Sequence, residues 1–272
     1  MKPGMRLQVR ERQPLCVLAI AGSDSGGGAG IQADSRAIRA LGGFPVTAIT
    51  AVTAQSTRGV IAWHPVEPKL IGAQVRAVLD DMRVGAVKIG LLPGAAAVRA
   101  VAGALEGRRL PVVLDPVVGS TTGTEFLDEK GRRLMRRLLF PLATVVTPNW
   151  PELALFSGGA VEDEAGAERA ARRLAAAAGC AVLAKGGHGR GARCADLLVR
   201  AGEPVLRFES PRRRTVNTHG TGCTLASAIA TGLARGWDLP KAVERARVLL
   251  LEGLCAGQDY RWGAGAGPAF PG

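Results

Sequence analysis

Nowhere among the 272 residues does an apolar run approach the ~18 that a membrane-spanning helix needs, so no membrane partner is expected. Aromatic residues make up only 4% of the chain, too few to interleave with basic clusters as base-stacking platforms. Lysine is scarce as well: the net charge of +12 comes from 29 Arg against 6 Lys, dispersed through an Ala- and Gly-rich composition. The densest basic clusters, Arg132-Arg133 with Arg136-Arg137 and Arg212-Arg213-Arg214, read as a solvated helix face and a loop. Nucleic acid is therefore not expected as a partner. Five Cys at irregular spacing offer neither a disulfide framework nor a zinc pattern, and reduced thiols in a cytoplasm fit them best. His64, His188 and His219 form no spaced metal cluster. There is also no Gly-Lys-Ser/Thr P-loop, so any nucleotide must be held by other means.

What is present is enough apolar material, 47% of residues, to bury a full core. Residues 1–14 are basic, and Ala19-Ile20-Ala21 imitates a signal cleavage site. The apolar run Leu15–Ala21 is short for a signal and leads straight into a Gly-rich turn. It reads as a buried first strand behind a loose N-terminal extension, 1–14. From there short apolar runs alternate with helical patterns. Strands are expected over Leu15–Ala21, Val46–Val52, Ala86–Ile89, Pro111–Leu114, Thr144–Thr147 and Ala181–Ala184, with an edge strand at Gly59–Val66 and a ribbon over Ala192–Phe208. Helices are expected over Ala29–Leu41, Pro68–Met82, Ala95–Leu105, Glu129–Leu139, Glu162–Ala178, Thr221–Ala234 and Pro240–Ala256. Such repeats of strand and helix predict one α/β domain, 15–257, with a doubly wound, mostly parallel sheet covered on both faces. The Gly-Ala-rich segment 258–272 reads as a flexible tail.

The polar residues able to do chemistry fall just after the apolar runs: Gly22-Ser23-Asp24, Thr53-Ala54-Gln55, Asp115, Thr147-Pro148-Asn149 and Lys185-Gly186-Gly187. In an open parallel sheet that edge is where ligands bind, which favours an enzyme. The chain is organised around Asn217-Thr218-His219-Gly220-Thr221-Gly222-Cys223, a glycine turn opening the Thr221–Ala234 helix. The unpaired N–H groups and dipole of a helix start make an anion site. There the helix end is expected to lower the Cys223 thiol pKa and favour the thiolate, giving a potential base beside an anion hole, as phosphoryl transfer requires. Gly28-x-Gly30-x-x-Ala33 loosely matches a dinucleotide fingerprint, but no acidic residue follows near Thr50–Gln55 to hold a ribose.

Asn-Thr-His-Gly-Thr-Gly-Cys-Thr-Leu resembles the signature of the hydroxymethylpyrimidine/phosphomethylpyrimidine kinases of thiamine biosynthesis, within the ribokinase-like superfamily. Most sugar kinases of that superfamily carry Asp where this chain has Cys223. The resemblance extends in motif order from Leu15 to Gly257. Ala21–Asp24 through Gly28–Asp34 is similar to the first family motif, which implies that Gly22, Asp24 and Ala29 line a pyrimidine pocket. Thr50-Ala51-Val52-Thr53-Ala54-Gln55 matches the second, and the donors and acceptor of the Gln55 amide suit an aminopyrimidine. Thr53 stands where the family usually has an aliphatic residue, and Leu91 where it often has Met. Thr147-Pro148-Asn149-x-x-Glu152 resembles the nucleotide–magnesium motif, so Asp115 and Glu152 are expected to face Mg²⁺, partly through water. Lys185-Gly186-Gly187-His188 resembles a phosphate-facing loop, which with Asn149 implies nucleotide binding by Asn149, Lys185 and Gly186.

The resemblance thus implies ATP-dependent phosphorylation of 4-amino-5-hydroxymethyl-2-methylpyrimidine and of its monophosphate. Gly220, Thr221 and Gly222 would hold the transferring group, and Cys223 would deprotonate the hydroxymethyl group. A homodimer is expected. The alternatives are a pyridoxal-type kinase, a cysteine-nucleophile acyl transferase using His219, and a non-catalytic pyrimidine-binding protein.

Overall fold

A computed structural model describes residues 14–120, 123–189 and 191–269. Of the expected N-terminal extension, residues 1–13 lie outside the described residues. The sheet has nine strands: β1 (Cys16–Asp24), β2 (Phe44–Ser56), β3 (Gly59–Pro65), β4 (Val84–Ile89), β5 (Val112–Leu114), β6 (Val145–Val146), β7 (Ala181–Ala184), β8 (Arg193–Val199) and β9 (Leu206–Pro211). Their order is β3-β2-β1-β4-β5-β6-β7-β8-β9. The strands from β2 through β7 in that order pair in parallel; β3, β8 and β9 run antiparallel at the two edges.

Among the described residues eight α-helices cover the sheet: α1 (Gly30–Ala40), α2 (Pro68–Asp81), α3 (Gly94–Leu105), α4 (Glu129–Leu138), α5 (Trp150–Ser157), α6 (Glu164–Ala178), α7 (Thr221–Ala234) and α8 (Leu239–Gly257). Strand alternation divides the core into two layers. Leu18 and Ile20 of β1 pack with Ile71, Val98, Met135 and Leu174 on the α2–α6 face. Val17 and Ala19 pack with Ile38, Leu225, Ile229 and Val243 on the α1–α7–α8 face. Both faces are apolar because both are covered, hence the near-continuous apolar runs of the parallel strands. The arrangement is the expected α/β fold.

Two features differ from the sequence reading. Helix α5, not expected as an element, is specified by a capping box. Asn149 Oδ1 accepts from the Glu152 N–H and Glu152 Oε2 accepts from the Asn149 N–H. The expected flexible tail, 258–272, is instead docked as far as Ala269. His219 and Pro268 form a β-bridge, with the His219 N–H donating to Gly267 O at 3.0 Å and the Ala269 N–H to His219 O at 2.9 Å. Asn217 Nδ2 adds bonds to Gly257 O and Tyr260 O. Glycines recur in this segment where it lies tight against its neighbours: a Cβ on Gly265 would stand 1.9 Å from Thr57 O, and one on Gly267 2.3 Å from Asn217 Oδ1.

Candidate active site

The parallel strands deliver their carboxyl ends to one cleft of about 810 Å³. Of the residues singled out from the sequence, Gly22, Asp24, Ala29, Gln55, Asp115, Asn149, Glu152, Lys185, Gly220, Thr221, Gly222 and Cys223 all line it. Gly186 does not. It is buried, its N–H donates to Asp196 Oδ1 at 2.6 Å, and a Cβ there would meet Ala195 O at 1.7 Å. The neighbouring Gly187 faces the cleft in its place.

At one end of the cleft the first loop and the turn before α7 interlock. Gly30 (φ +57°) rests on Gly22 O and Gly220 (φ +82°) on Gly28 O, where a Cβ would lie 2.2 and 1.9 Å away respectively. Only glycine fits such positive-φ contacts. Asp24 organises the loop: Oδ1 accepts from the Gly26 N–H, and Oδ2 from the Gly28 and Ala29 N–H groups and from His219 Nε2 at 2.9 Å. Burial alone would raise its pKa, but these bonds hold the carboxyl below its ordinary value. The Asp24 carboxylate, assigned to substrate from the sequence, is thus already occupied by its own loop. The Gln55 amide abuts His219 Nε2 at 3.0 Å. Thr53 Oγ1 donates to Ser23 O at 3.1 Å, a contact that an aliphatic residue there would lack. Leu91 packs near Gly22.

Helix α7 starts from Gly220 with no side-chain cap, as do α1, α2 and α3, while Asp128, Asn149, Asp163 and Asp238 cap α4, α5, α6 and α8. The first turn of α7, Thr221 to Cys223, lines the cleft, where its N–H groups can meet an anion. A Cβ on Gly222 would lie 3.2 Å from both Asp115 Oδ2 and Lys185 Nζ, so this turn abuts the charged wall. There Lys185 Nζ sits 2.6 Å from Asp115 Oδ1 and 3.9 Å from Glu152 Oε2. Burial works against the Lys185 ammonium, yet Asp115 and Glu152 keep its pKa above the usual lysine value. Burial pushes Glu152 up to about 7, with Asp115 adding to the rise and Lys185 opposing it.

Cys223 corrects the sequence reading. Its thiol is not lowered by the helix start; burial, with the Asp34 and Asp115 carboxylates, pushes it up to about 11 against the opposing pull of Lys88 and a bond from the Gly30 backbone. An acyl-transfer pair with His219 is not formed either, since His219 Nε2 is taken by Asp24 and Gln55 and the thiol is far from activated.

Several residues escaped the sequence reading. Lys88, fully buried in β4, bonds both Asp34 oxygens at 2.8 and 2.9 Å. Ser227 Oγ donates to Asp34 Oδ1, one helical turn beyond Cys223. Despite burial, Asp34 holds Lys88 protonated. A charge inside an otherwise apolar strand was the available signal; its partner on α1 was not legible. Arg212 donates to Gly187 O, Gly189 O and Gly191 O, pinning the loop after Lys185 instead of pointing freely to solvent. Arg247 pairs with Asp196 and donates to Cys194 O and Ser210 Oγ, so Cys194 also borders the cleft.

Among known proteins, the phosphomethylpyrimidine kinase family model matches residues 24–269. The chain is 44% identical to a hydroxymethylpyrimidine/phosphomethylpyrimidine kinase of Rhizobium meliloti over 92% of its own length and 94% of the relative's. It is 44% identical to a thiamine biosynthesis bifunctional protein of Geobacter sulfurreducens over 93% of its own length, spanning 51% of that protein. The solved ADP complex of Bacillus subtilis pyridoxal kinase superposes with a TM-score of 0.83 at 31% identity, covering 89% of this chain and 92% of that one. With this match over nearly the whole described chain, the protein belongs to the phosphomethylpyrimidine kinase family.

Proposed function

We propose that the protein phosphorylates 4-amino-5-hydroxymethyl-2-methylpyrimidine and its monophosphate with ATP, as a step of thiamine biosynthesis. The observation that carries this reading is the uncapped start of α7, which presents Cys223 beside the Asp115–Lys185 pair in a cleft shared with Gly22 and Gln55. Gly22, Ala29 and Gln55 form the pyrimidine end, and the Gly220–Gly222 amides receive the transferring phosphoryl group. Asn149, Lys185 and the Gly187 loop take the nucleotide phosphates, Lys185 and Gly187 lining the same cleft wall as Asn149. Lys185 supplies a positive charge where negative charge develops.

The site also fits Mg²⁺. Asp115 and Glu152 offer hard oxygen donors on one wall. Among the described residues no three His, Cys, Asp or Glu form a closed cage, and Mg²⁺ usually rests on one or two carboxylates, phosphates and water. When bound, the cation neutralises phosphate charge.

Cys223 accepts the alcohol proton in the first phosphorylation. With a thiol pKa near 11, only on the order of 10⁻⁴ of it is thiolate at neutral pH, so the form that takes the proton is scarce but strongly basic when present. The same neutrality suits the second phosphorylation, because a neutral thiol does not repel a bound phosphomonoester as an Asp would. We also place the chain in solution as a homodimer, with the exposed Val52 and Ile61 of the β2–β3 ribbon as the apolar surface available to a second copy; sedimentation tests this. No helix of the described residues is long and apolar enough to cross a membrane, and a cytoplasmic location is proposed with it.

ADP release by the purified protein, measured with hydroxymethylpyrimidine, its monophosphate and pyridoxal, tests the assignment. Turnover of both pyrimidines is expected. Turnover of pyridoxal alone would transfer the chain to its pyridoxal kinase neighbours.

A further inference from the structure

His219 occupies a position no part of the reaction uses, yet its ring and its backbone are both tied at the cleft. Its ring nitrogen Nε2 donates to Asp24 Oδ2 at 2.9 Å and abuts the Gln55 amide at 3.0 Å. Its ring fills the space beside Gly28, where a Cβ would lie 2.3 Å from Cδ2. On the other side its backbone N–H and C=O are both taken by the docked C-terminal segment, through Gly267 O and the Ala269 N–H. Ala269 is fully buried.

That segment touches two places at once. Gly265 donates to Thr57 Oγ1 at 3.2 Å in the turn between β2 and β3, two residues beyond Gln55. Gly267 lies between Asn217 Oδ1 and the Trp262 ring, which a Cβ would approach to 2.3 and 2.4 Å. His219 is followed directly by Gly220, so any movement of His219 moves the start of α7.

We propose that His219 is a positioning residue clamped between the Asp24–Gln55 pair and the 258–269 segment, and that this clamp fixes the Gly220–Gly222 turn against the pyrimidine pocket. The C-terminal segment is then part of the active-site framework. Its glycines leave room for the Thr57 carbonyl at Gly265 and for the Asn217 side chain and Trp262 ring at Gly267. The ring takes no proton from substrate; it sets where the transferring phosphoryl group sits relative to the hydroxymethyl oxygen. The inference rests on the kinase reading above.

The test uses the full chain with hydroxymethylpyrimidine and ATP. A misplacement of the phosphoryl-binding turn by about 1 Å costs on the order of 10²-fold in rate. His219→Ala and Gly267→Val should each lower kcat about that much, with KM for ATP nearly unchanged. His219→Gln, whose amide can still donate to Asp24, should recover most of the loss. The double variant His219→Ala with Gly267→Val should be no worse than either single one, because two breaks in one clamp do not add. Should Gly267→Val not fold, Gly265→Ala, whose Cβ would meet Thr57 O at 1.9 Å, replaces it. Losses confined to KM, equal losses in the Ala and Gln variants, or multiplying losses in the double variant would overturn the proposal. Wild-type turnover in the same assay separates the two readings: an active wild type with unaffected variants removes the clamp and leaves the kinase.

Discussion

On the pyrimidine side of the cleft, backbone rests on backbone. Gly30 lies on the Gly22 carbonyl and Gly220 on the Gly28 carbonyl, with no room for a methyl group at either. On the nucleotide side Gly186 is packed in the same way, a Cβ there lying 1.7 Å from Ala195 O, but the glycines beyond it are looser. Gly187 and Gly191 have no atom within 4 Å of a would-be Cβ, and the loop keeps its shape because Arg212 reaches three of its carbonyls. One half is therefore fixed by exclusion, and the other, beyond the packed Gly186, mainly by Arg212. The first leaves no room for a side chain at Gly30 or Gly220; the second leaves room at Gly187.

The sharpest tests begin where the halves meet. Cys223→Ala should cost on the order of 10²–10⁴-fold in kcat/KM for the free pyrimidine, the usual worth of a general base, and distinctly less for the monophosphate, whose attacking oxygen is already anionic. Steady-state kinetics with both substrates measures the difference; equal losses would make Cys223 a shape element of the turn. Because a base acts deprotonated, the first-step rate should climb as pH rises towards about 11, and the Ala variant should lose that slope.

Gly220→Ala against Gly187→Ala sets the two halves directly side by side. A Cβ at Gly220 must displace Gly28 and the turn, with an expected loss of about 10²-fold in kcat. At Gly187 the change should stay within about twofold, as substitutions in open space do. Similar effects in both would erase the distinction. Gln55→Leu removes a polar contact on the rigid side, and calorimetry should find pyrimidine binding weakened by about 1–3 kcal/mol. The smallest effect is expected from Arg212→Gln. Untying the loop should raise KM for ATP severalfold, about 1 kcal/mol for a lost hydrogen-bond set, while kcat and pyrimidine affinity hold; a kcat loss of the Gly220 kind would show that the nucleotide side is as rigid as the other.

The strand edge was legible in the sequence because apolar runs and the polar residues ending them are local signals. Asp115, Asn149 and Lys185 come together as their positions after β5, β6 and β7 predict. What was not legible depends on distant partners. The helix-dipole argument for Cys223 considered only its own helix, whereas the thiol answers to burial and to carboxylates from α1 and the end of β5. Gly-Ala-Gly-Ala-Gly-Pro from Gly263 has the composition of a flexible tail, yet the same lack of side chains lets it lie against Thr57 and Asn217. The Asn149–Glu152 pair shows a third case. The motif pointed to a metal-facing carboxylate, and the same two residues also build the cap of α5, so one spacing serves helix start and cleft wall together.

The raised thiol has a consequence for the life of the enzyme under oxidative stress. Peroxides and electrophiles attack thiolates, and susceptibility follows thiolate character and access. A cysteine whose pKa lies near 11 is almost entirely protonated at neutral pH and reacts slowly with both. Cys223 is only half-buried and lines the cleft, so it is the scarcity of its thiolate, and not lack of access, that slows such attack.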